Sequence, residues 1–245
     1  MIRYWMGRQP EDREEFQRRA PVVCSLYKQA ATLHEQGVHL VSSDEKTGIQ
    51  ALERLGPILR PVPGHVEKQE SHYRRHGTCC LIANLEVATG RIIQPTLGPS
   101  RSEVDFVDHV ARTVDTDPDA NWIFITDNLD THKSESLVRL IADRCNLPED
   151  LGKKGRRGIL KSTATRAAFL EDPTHRIRFV YTPKHASWLN QIELWFSILV
   201  RRLLRRGSFT SLDELQQRLL AFIEYFNRTL AKPFKWTYAG RPLTV

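Results

Sequence analysis

The chain has 245 residues, 40% of them hydrophobic, which is enough to fill the core of one large domain or two small ones. Lys and Arg total 36 against 29 Asp and Glu, and this net charge of +7 favours a polyanionic partner over a merely soluble basic protein. No apolar run approaches the roughly 20 residues that span a bilayer, and residues 1–5 lack a signal-peptide core. We therefore expect a protein without membrane insertion or secretion, located in the cytoplasm.

The first half of the chain predicts one helix followed by strands. Residues 11–36 carry apolar side chains at helical spacing and end at Gly37, so a helical lead-in, bent at Pro21, is predicted. A strand over 38–44 ends at Asp44, and the Gly- and Pro-rich stretch 56–64 is predicted to be a loop. Residues 76–87 and 90–96 predict two more strands, which would complete an antiparallel meander.

The second half alternates helices with apolar strands. Ser102 and Asp105 give an N-cap signal, with a predicted apolar stripe that includes Val104, Val107 and Val110. Residues 121–126 predict a strand, 134–145 a helix, 176–182 a strand, and 186–206 and 211–230 two further helices, the last opening with a capping box. This order predicts an α/β fold, a mixed sheet flanked by helices. The four cysteines form no C-x-x-C pair, and we expect reduced, buried thiols.

Three acidic residues stand at positions suited to metal chemistry. Asp44 and Asp127 follow predicted strands, and Glu193 lies in the predicted helix 186–206 on one face with Asn190 and Ser197. Converging carboxylates repel one another, so such a cluster is tolerable chiefly when divalent cations neutralise it. Two Mg²⁺ ions held this way suit the cutting and joining of phosphodiesters. The alternative is that each Asp is an ordinary turn or cap residue.

Five segments carry a resemblance to a known family. Residues 43–48 (SDEKTG), 127–128 (DN) and 189–193 (LNQIE) contain the three acids, and 225–227 (YFN) and 232–238 (KPFKWTY) follow near the end. From about Val38 onward the chain resembles the DDE-superfamily transposases of bacterial insertion sequences, in the branch related to the mariner elements.

The resemblance implies a ribonuclease-H-like catalytic domain with a helical C-terminal extension. It implies that Asp44, Asp127 and Glu193 are both catalytic and metal ligands, with two Mg²⁺ ions, or Mn²⁺, per site. The implied activity is DNA strand cleavage and strand transfer at insertion-sequence ends. The implied partners are double-stranded DNA, as transposon ends and target, and a second copy in a dimeric synaptic complex. No nucleotide cofactor is expected, since no P-loop string occurs.

Two features depart from the family pattern. Gln191 stands where the branch often has proline, and 66 positions separate Asp127 from Glu193, more than is typical. We interpret the excess as a basic insertion at about 146–175, whose cations would hold DNA phosphates, with a solvated flexible loop as the alternative. These candidate DNA-binding residues are Lys153, Lys154, Arg156, Arg157 and Lys161.

Other candidates are supporting residues and further phosphate contacts. Asn128 and His132 would orient a water or a phosphate, with a surface residue at the start of the next helix as the equal alternative for His132, and Asn190 would support Glu193. Five cations near the last acid also suit DNA backbone contact, although such charges are as often simply solvated. They are Lys184, His185, Arg201, Arg202 and Arg205.

Only about 36 residues precede the first predicted strand, too few for the usual pair of end-recognition subdomains. We therefore expect residues 1–36 to be a helical lead-in, the remnant of a linker to an absent DNA-recognition region, and residues 37–245 to be the catalytic domain. Two alternatives stay open at this point. One is a catalytically idle truncated transposase that binds DNA or regulates, and the other is a ribonuclease-H-like nuclease that cuts without joining.

Overall fold

A five-stranded sheet with helices on both faces organises the chain. The computed structural model describes residues 13–56, 59, 62–66, 72–147 and 150–240. The strands are β1 (Val38–Arg54), β2 (Tyr73–Glu86), β3 (Ile92–Gly98), β4 (Asn121–Thr126) and β5 (Ile177–Tyr181). The helices are α1 (Arg13–Glu35), α2 (Glu103–Val114), α3 (Glu135–Arg144), α4 (Thr163–Leu170), α5 (Ile192–Leu199) and α6 (Leu212–Thr229).

The strand order β3-β2-β1-β4-β5 combines two kinds of pairing. The first three strands form the predicted antiparallel meander, while β4 and β5 run parallel to β1. The parallel pairing of β1 ends at Ser42, opposite Ile125, although pairing with β2 continues well beyond. The residues that follow Ser42 in β1 and the residues that follow β4 therefore lie at the same end of the parallel pair.

Each face of the sheet carries its own apolar layer because side chains alternate along a strand. On the first face, Val41, Trp122 and Phe124 pack with residues of α2, α3 and α4. On the other face, Leu40 and Ile123 pack with α1, and residues of β2 pack with α5 and α6. We call these the α2 face and the α5 face. The result is a three-layer α/β/α arrangement, which confirms the predicted fold class.

The predicted strand over 38–44 was too short. β1 continues to Arg54, paired with Tyr73 of β2, and its register shifts between Lys46 and Ile49, around Gly48 with φ of +63°. Its second half is mostly polar and half exposed because it pairs on one side only, so its apolar alternation is limited to the buried Ile49 and Ala51. Asp44 consequently lies inside β1, two residues after the last pair with β4, and not at the end of a strand.

The predicted continuous helix over 186–206 was also wrong. A 3₁₀ turn covers Ser187–Leu189, α5 begins only at Ile192, and a π-helical turn follows over Val200–Leu204. Asn190 has extended backbone angles of −80° and 110°, so it does not share a helical face with Glu193. The residue is held outside the helix by its side-chain contacts with β1, described below.

Other helix predictions hold with smaller corrections. Ser102 and Asp105 form a complete capping box on α2, but Val104 is 71% exposed and not part of the apolar stripe. Ser211 caps α6, whereas Glu214 accepts from the backbone N–H of Thr210, so that capping box is only half formed. Helix α1 continues through Pro21 and is followed by Gly37 with φ of +73°.

The predicted insertion is partly built into the domain. Within 146–175, helix α4 places Leu170 in the core of the α2 face, and Leu160 is buried there too. Residues 153–157 of this segment are all exposed, so the solvated-loop alternative stays open for that turn. Four residues of the predicted loop 56–64, at 57, 58, 60 and 61, lie outside the described residues. All four cysteines are free, and Cys145 alone is not fully buried. No helix in the described ranges is long and apolar enough to cross a lipid bilayer.

Candidate active site

Asp44 is a nearly buried carboxylate on the α5 face of β1. It is 8% exposed; its Oδ1 atom accepts the backbone N–H of Glu45 at 2.7 Å, and Asn190 Nδ2 lies 3.3 Å from Oδ2. Burial raises the pKa of Asp44 to about 7, the Glu45 N–H opposes this, and the negative charges of Asp127, Glu45 and Glu193 add to it. Carboxylates from three separate elements thus repel one another here.

Asp127 directly follows β4 and lies in an opposite electrostatic environment. Its Oδ1 accepts the backbone N–H of Leu129 at 3.0 Å and lies 2.8 Å from Nδ1 of His132. Burial acts to raise the pKa of Asp127, but the hydrogen bond and charge of His132, together with the Leu129 N–H, outweigh it and the pKa is lowered. Asp127 is therefore held as a carboxylate.

His132 bridges Asp127 to a fourth acid that the sequence did not reveal. Its side chain is fully buried, and Nε2 lies 2.9 Å from Oε1 of Glu45, which is also buried. Burial alone would lower the pKa of His132, but the two carboxylates raise it to about 9. Glu45 follows Asp44 directly, so the strand turns it to the α2 face and away from the α5 face. Because side chains alternate along β1, Asp44 faces the other acids of the site while its neighbour Glu45 contacts His132.

Glu193 lies in the first turn of α5, and hydrogen bonds to β1 fix where that helix begins. Ser42 Oγ donates to Asn190 Oδ1 and accepts the backbone N–H of Ile192 at 2.9 Å. Asn190 Nδ2 donates to the Ser43 carbonyl at 2.9 Å. These contacts tie the start of α5 to β1 beside Asp44. Asn190 therefore contacts β1 from an extended segment, and its supporting role stays a prediction.

Helix α1 supports the same junction from the other side. The buried Tyr27 hydroxyl donates to the Leu189 carbonyl at 2.9 Å and accepts the backbone N–H of Gln191 at 3.2 Å. Neither Ser42 nor Tyr27 belongs to a sequence motif, so no signal in the sequence identified them.

The three acids suit a hard divalent cation. Their donors are all carboxylate oxygens, the type that Mg²⁺ and Mn²⁺ prefer. The Glu193 carboxylate has no hydrogen-bond or ion-pair partner among the described residues, while the ionised form of Asp44 is disfavoured by burial and like charge. A bound cation would relieve both conditions. The carboxylate oxygens of the three acids do not all lie within 4.8 Å of one another in this structure.

Asn128 uses its amide within the protein. Its Nδ2 donates to the Thr182 carbonyl beyond β5, and its Oδ1 accepts from Nζ of Lys133 at 2.5 Å. The amide thereby joins the chain after β4 to the chain after β5. This bridge fixes the backbone that carries Asp127.

The candidate DNA-binding cations are all exposed, but they occupy several surfaces. Lys154 lies 3.9 Å from Glu135, and Arg157 pairs with Asp150 at 2.5 Å. Arg201 and Arg202 line a cavity of about 470 Å³ between the π-helical turn and the segment after α6. The remaining exposed candidates are Lys153, Arg156, Lys161, Lys184, His185 and Arg205.

A mixed sheet in this strand order, with acids on β1, after β4 and on the helix after β5, defines a ribonuclease-H-like endonuclease fold. Residues 39–216 match the DDE superfamily endonuclease family, to which the chain belongs. Among curated protein sequences, none matches this chain.

Solved structures of one transposase share the fold. The Mos1 mariner paired-end complex with Mn is 14% identical with a TM-score of 0.55, over 93% of this chain and 62% of that one. The Mos1 strand transfer complex is 16% identical with a TM-score of 0.53, over 91% and 58%. The Mos1 catalytic domain is 12% identical with a TM-score of 0.51, over 90% and 85%. The chain thus spans about three fifths of the longer Mos1 chains, and the predicted resemblance is confirmed.

Proposed function

We propose that this chain is the catalytic part of a DNA transposase, which cleaves DNA strands at transposon ends and joins them to target DNA in a divalent-cation-dependent reaction. The observation that carries the proposal is that the charges of Asp127, after β4, and Glu193, on α5, both act to raise the pKa of Asp44 on β1, which brings the three acids into one electrostatic neighbourhood. The DDE endonuclease family supplies the reaction class.

Asp44, Asp127 and Glu193 are the catalytic residues and the metal ligands in this proposal. When bound there, two Mg²⁺ or Mn²⁺ ions would activate a water or a 3′-hydroxyl and stabilise the leaving oxygen. His132 keeps Asp127 ionised and oriented. The hydrogen bond between Ser42 and Asn190 ties the start of α5, which carries Glu193, to β1. No Ser or Tyr nucleophile is required, because the attacking oxygen belongs to water or DNA.

The proposed substrate is double-stranded DNA, and the proposed assembly is a dimer. The net charge of +7 and the exposed cations near α5 and in the 153–157 turn supply phosphate contacts. Mos1 structures include a paired-end complex with the left transposon end and a strand transfer complex. Residues 37–245 form the proposed catalytic domain, with α1 packed on its α5 face.

A strand-transfer assay on a pre-nicked transposon end tests this function. Wild-type protein should nick and join DNA with Mg²⁺ or Mn²⁺ and do neither in EDTA, whereas Asp44→Asn should abolish both activities. Asp108→Asn is a matched control, since this exposed acid pairs with Arg112 on α2. Cleavage without joining would establish the nuclease alternative. Binding without cleavage under every divalent ion, also after fusion to an end-binding module, would establish the idle alternative.

A further inference from the structure

A second cluster of metal-binding side chains lies outside the catalytic acids. One ligand atom from each of His34, His39 and Glu86 lies within 4.8 Å of the other two, and within the described ranges these are the only such residues. Glu86 Oε1 lies 2.6 Å from His39 Nδ1 and 3.6 Å from His34 Nδ1. We call these three residues the histidine–glutamate cluster. Five residues of β1, about 16 Å, separate His39 from Asp44.

A second layer of contacts orients His39 and Glu86 from behind. Nε2 of His39 lies 3.2 Å from Oδ2 of Asp117, so Nδ1 is the nitrogen turned to Glu86. The His39 ring stacks on Trp122 with centroids 4.2 Å apart. Thr89 Oγ1 donates to the other Glu86 oxygen at 2.7 Å. A carboxylate behind a ligating histidine and a donor behind a ligating carboxylate are the partners that such ligands use to fix their orientation.

The histidine–glutamate cluster also combines a buried anchor with an open side. Glu86 is 6% exposed, whereas the His34 side chain is 42% exposed at the end of α1. A cation can therefore enter from solvent, and a water molecule can complete its coordination. Two imidazole nitrogens with one carboxylate oxygen suit Zn²⁺ and related transition metals better than Mg²⁺.

We propose that the histidine–glutamate cluster binds one Zn²⁺-type transition-metal ion, which fastens the end of α1 to β1 and β2. The site is structural and does not depend on the proposed DNA chemistry. Helix α1 holds the start of α5 through Tyr27, so the metal would stabilise the layer on which Glu193 is mounted.

The test is Zn²⁺ titration by calorimetry, with thermal unfolding measured in parallel, on the full chain carrying Asp44→Asn and Glu193→Gln. These changes remove two of the three catalytic acids and so weaken that site as a competitor for the ion. One Zn²⁺ per chain should bind and raise the unfolding midpoint by several degrees. Adding His34→Ala should weaken binding about tenfold or more, and Asp117→Asn should weaken it by about tenfold or more as well. His65→Ala, at an exposed histidine elsewhere, should change nothing.

Two results would overturn the proposal. If the Asp44→Asn, Glu193→Gln chain bound no Zn²⁺, any zinc on the wild type would belong to the catalytic acids. If His34→Ala and His65→Ala bound Zn²⁺ alike, the three residues would be only a hydrogen-bonded network. Strand-transfer activity with Mg²⁺ is a separate readout, so failure of this site and failure of the proposed function are distinguishable.

Discussion

His132 Nδ1 lies 2.8 Å from Oδ1 of Asp127, and this contact makes the two aspartates of the site different. The buried imidazole holds Asp127 as a carboxylate and lowers its pKa. Asp44 has no such cation within the described ranges of the chain, and burial raises its pKa to about 7. Asp127 is therefore stabilised in its ionised form, whereas the ionised form of Asp44 is disfavoured. A divalent cation bound at the site would supply the positive charge that Asp44 lacks.

Replacing the two aspartates should change stability in opposite directions without divalent cations. The folded pKa of Asp44 is above its unfolded value, so its stability contribution is lost as pH rises from about 4 to 7. At pH 8, Asp44→Asn should raise the free energy of unfolding by about 1–3 kcal/mol. Asp127→Asn should lower it by about 2 kcal/mol, because His132 loses a charged partner.

Urea unfolding in EDTA measures both variants, and adding Mn²⁺ supplies the control. Mn²⁺ should stabilise the wild type and have little effect on Asp44→Asn. Equal destabilisation by both substitutions would contradict the difference that we assign to His132.

The lowered pKa of His109 predicts that the folded protein loses stability in acid, independently of the three acids of the candidate active site. The residue is fully buried on α2, its Nδ1 lies 2.8 Å from Thr96 Oγ1, and burial, with the charge of Arg112, lowers its pKa to about 3. Between about pH 6.5 and 3, His109 is therefore protonated in the unfolded chain but neutral in the folded chain. Stability should be fully present above pH 6.5 and fall by about 1.4 kcal/mol per pH unit below it.

Comparison of the wild type with His109→Leu isolates this term. Relative to the wild type, the unfolding free energy of His109→Leu should increase by about 1.4 kcal/mol for each pH unit below 6.5. His65→Gln, at an exposed position, is the control. Parallel pH profiles for wild type and His109→Leu would refute the assignment.

Sequence predicted the elements whose burial is periodic and missed those that depend on long-range polar contacts. The strand 121–126 and the Ser102 cap follow from local pattern and are present. The second half of β1 was missed because its apolar alternation is limited to Ile49 and Ala51, and the rest of it is held by pairing with β2. The break at Asn190 depends on Ser42, 148 positions away, and Glu45 meets His132 only after folding. The three acids stood out because their residue type and order were visible.

Gln191→Pro should stabilise the fold. Gln191 is fully buried, neither polar atom of its side-chain amide has a hydrogen-bond partner among the residues that the structure describes, and its backbone angles of −61° and −26° suit proline. Asn190 before it is extended, as proline requires. The substitution loses the backbone N–H bond to Tyr27 but removes two unsatisfied polar atoms, for a net gain of about 1 kcal/mol.

Gln191→Leu is the matched control for this prediction, since it removes the amide and keeps the N–H. Both variants should unfold at higher denaturant concentration than the wild type. A loss of stability in both would show that the amide is satisfied in solution.

The 153–157 turn should contribute to the salt dependence of DNA binding. Lys153 and Arg156 are exposed and have no ion-pair partner in the described part of the chain, unlike Lys154 and Arg157. In the Lys153→Ala, Arg156→Ala variant, the slope of log K against log salt concentration should flatten by about 1.8 if each cation contacts one phosphate. Arg139→Ala, which removes a cation paired with Glu135, is the control. An unchanged slope in the double variant would assign this turn to solvent.

A Mn²⁺-bound crystal structure, with ions located by anomalous scattering, tests the central claim that Asp44, Asp127 and Glu193 form one cation site. We expect Mn²⁺ within about 2.0–2.5 Å of carboxylate oxygens from all three residues. Glu193→Gln should weaken this anomalous signal while the ion pair between His132 and Asp127 persists. Ordered Mn²⁺ bound elsewhere, with none touching Asp44, would contradict the account.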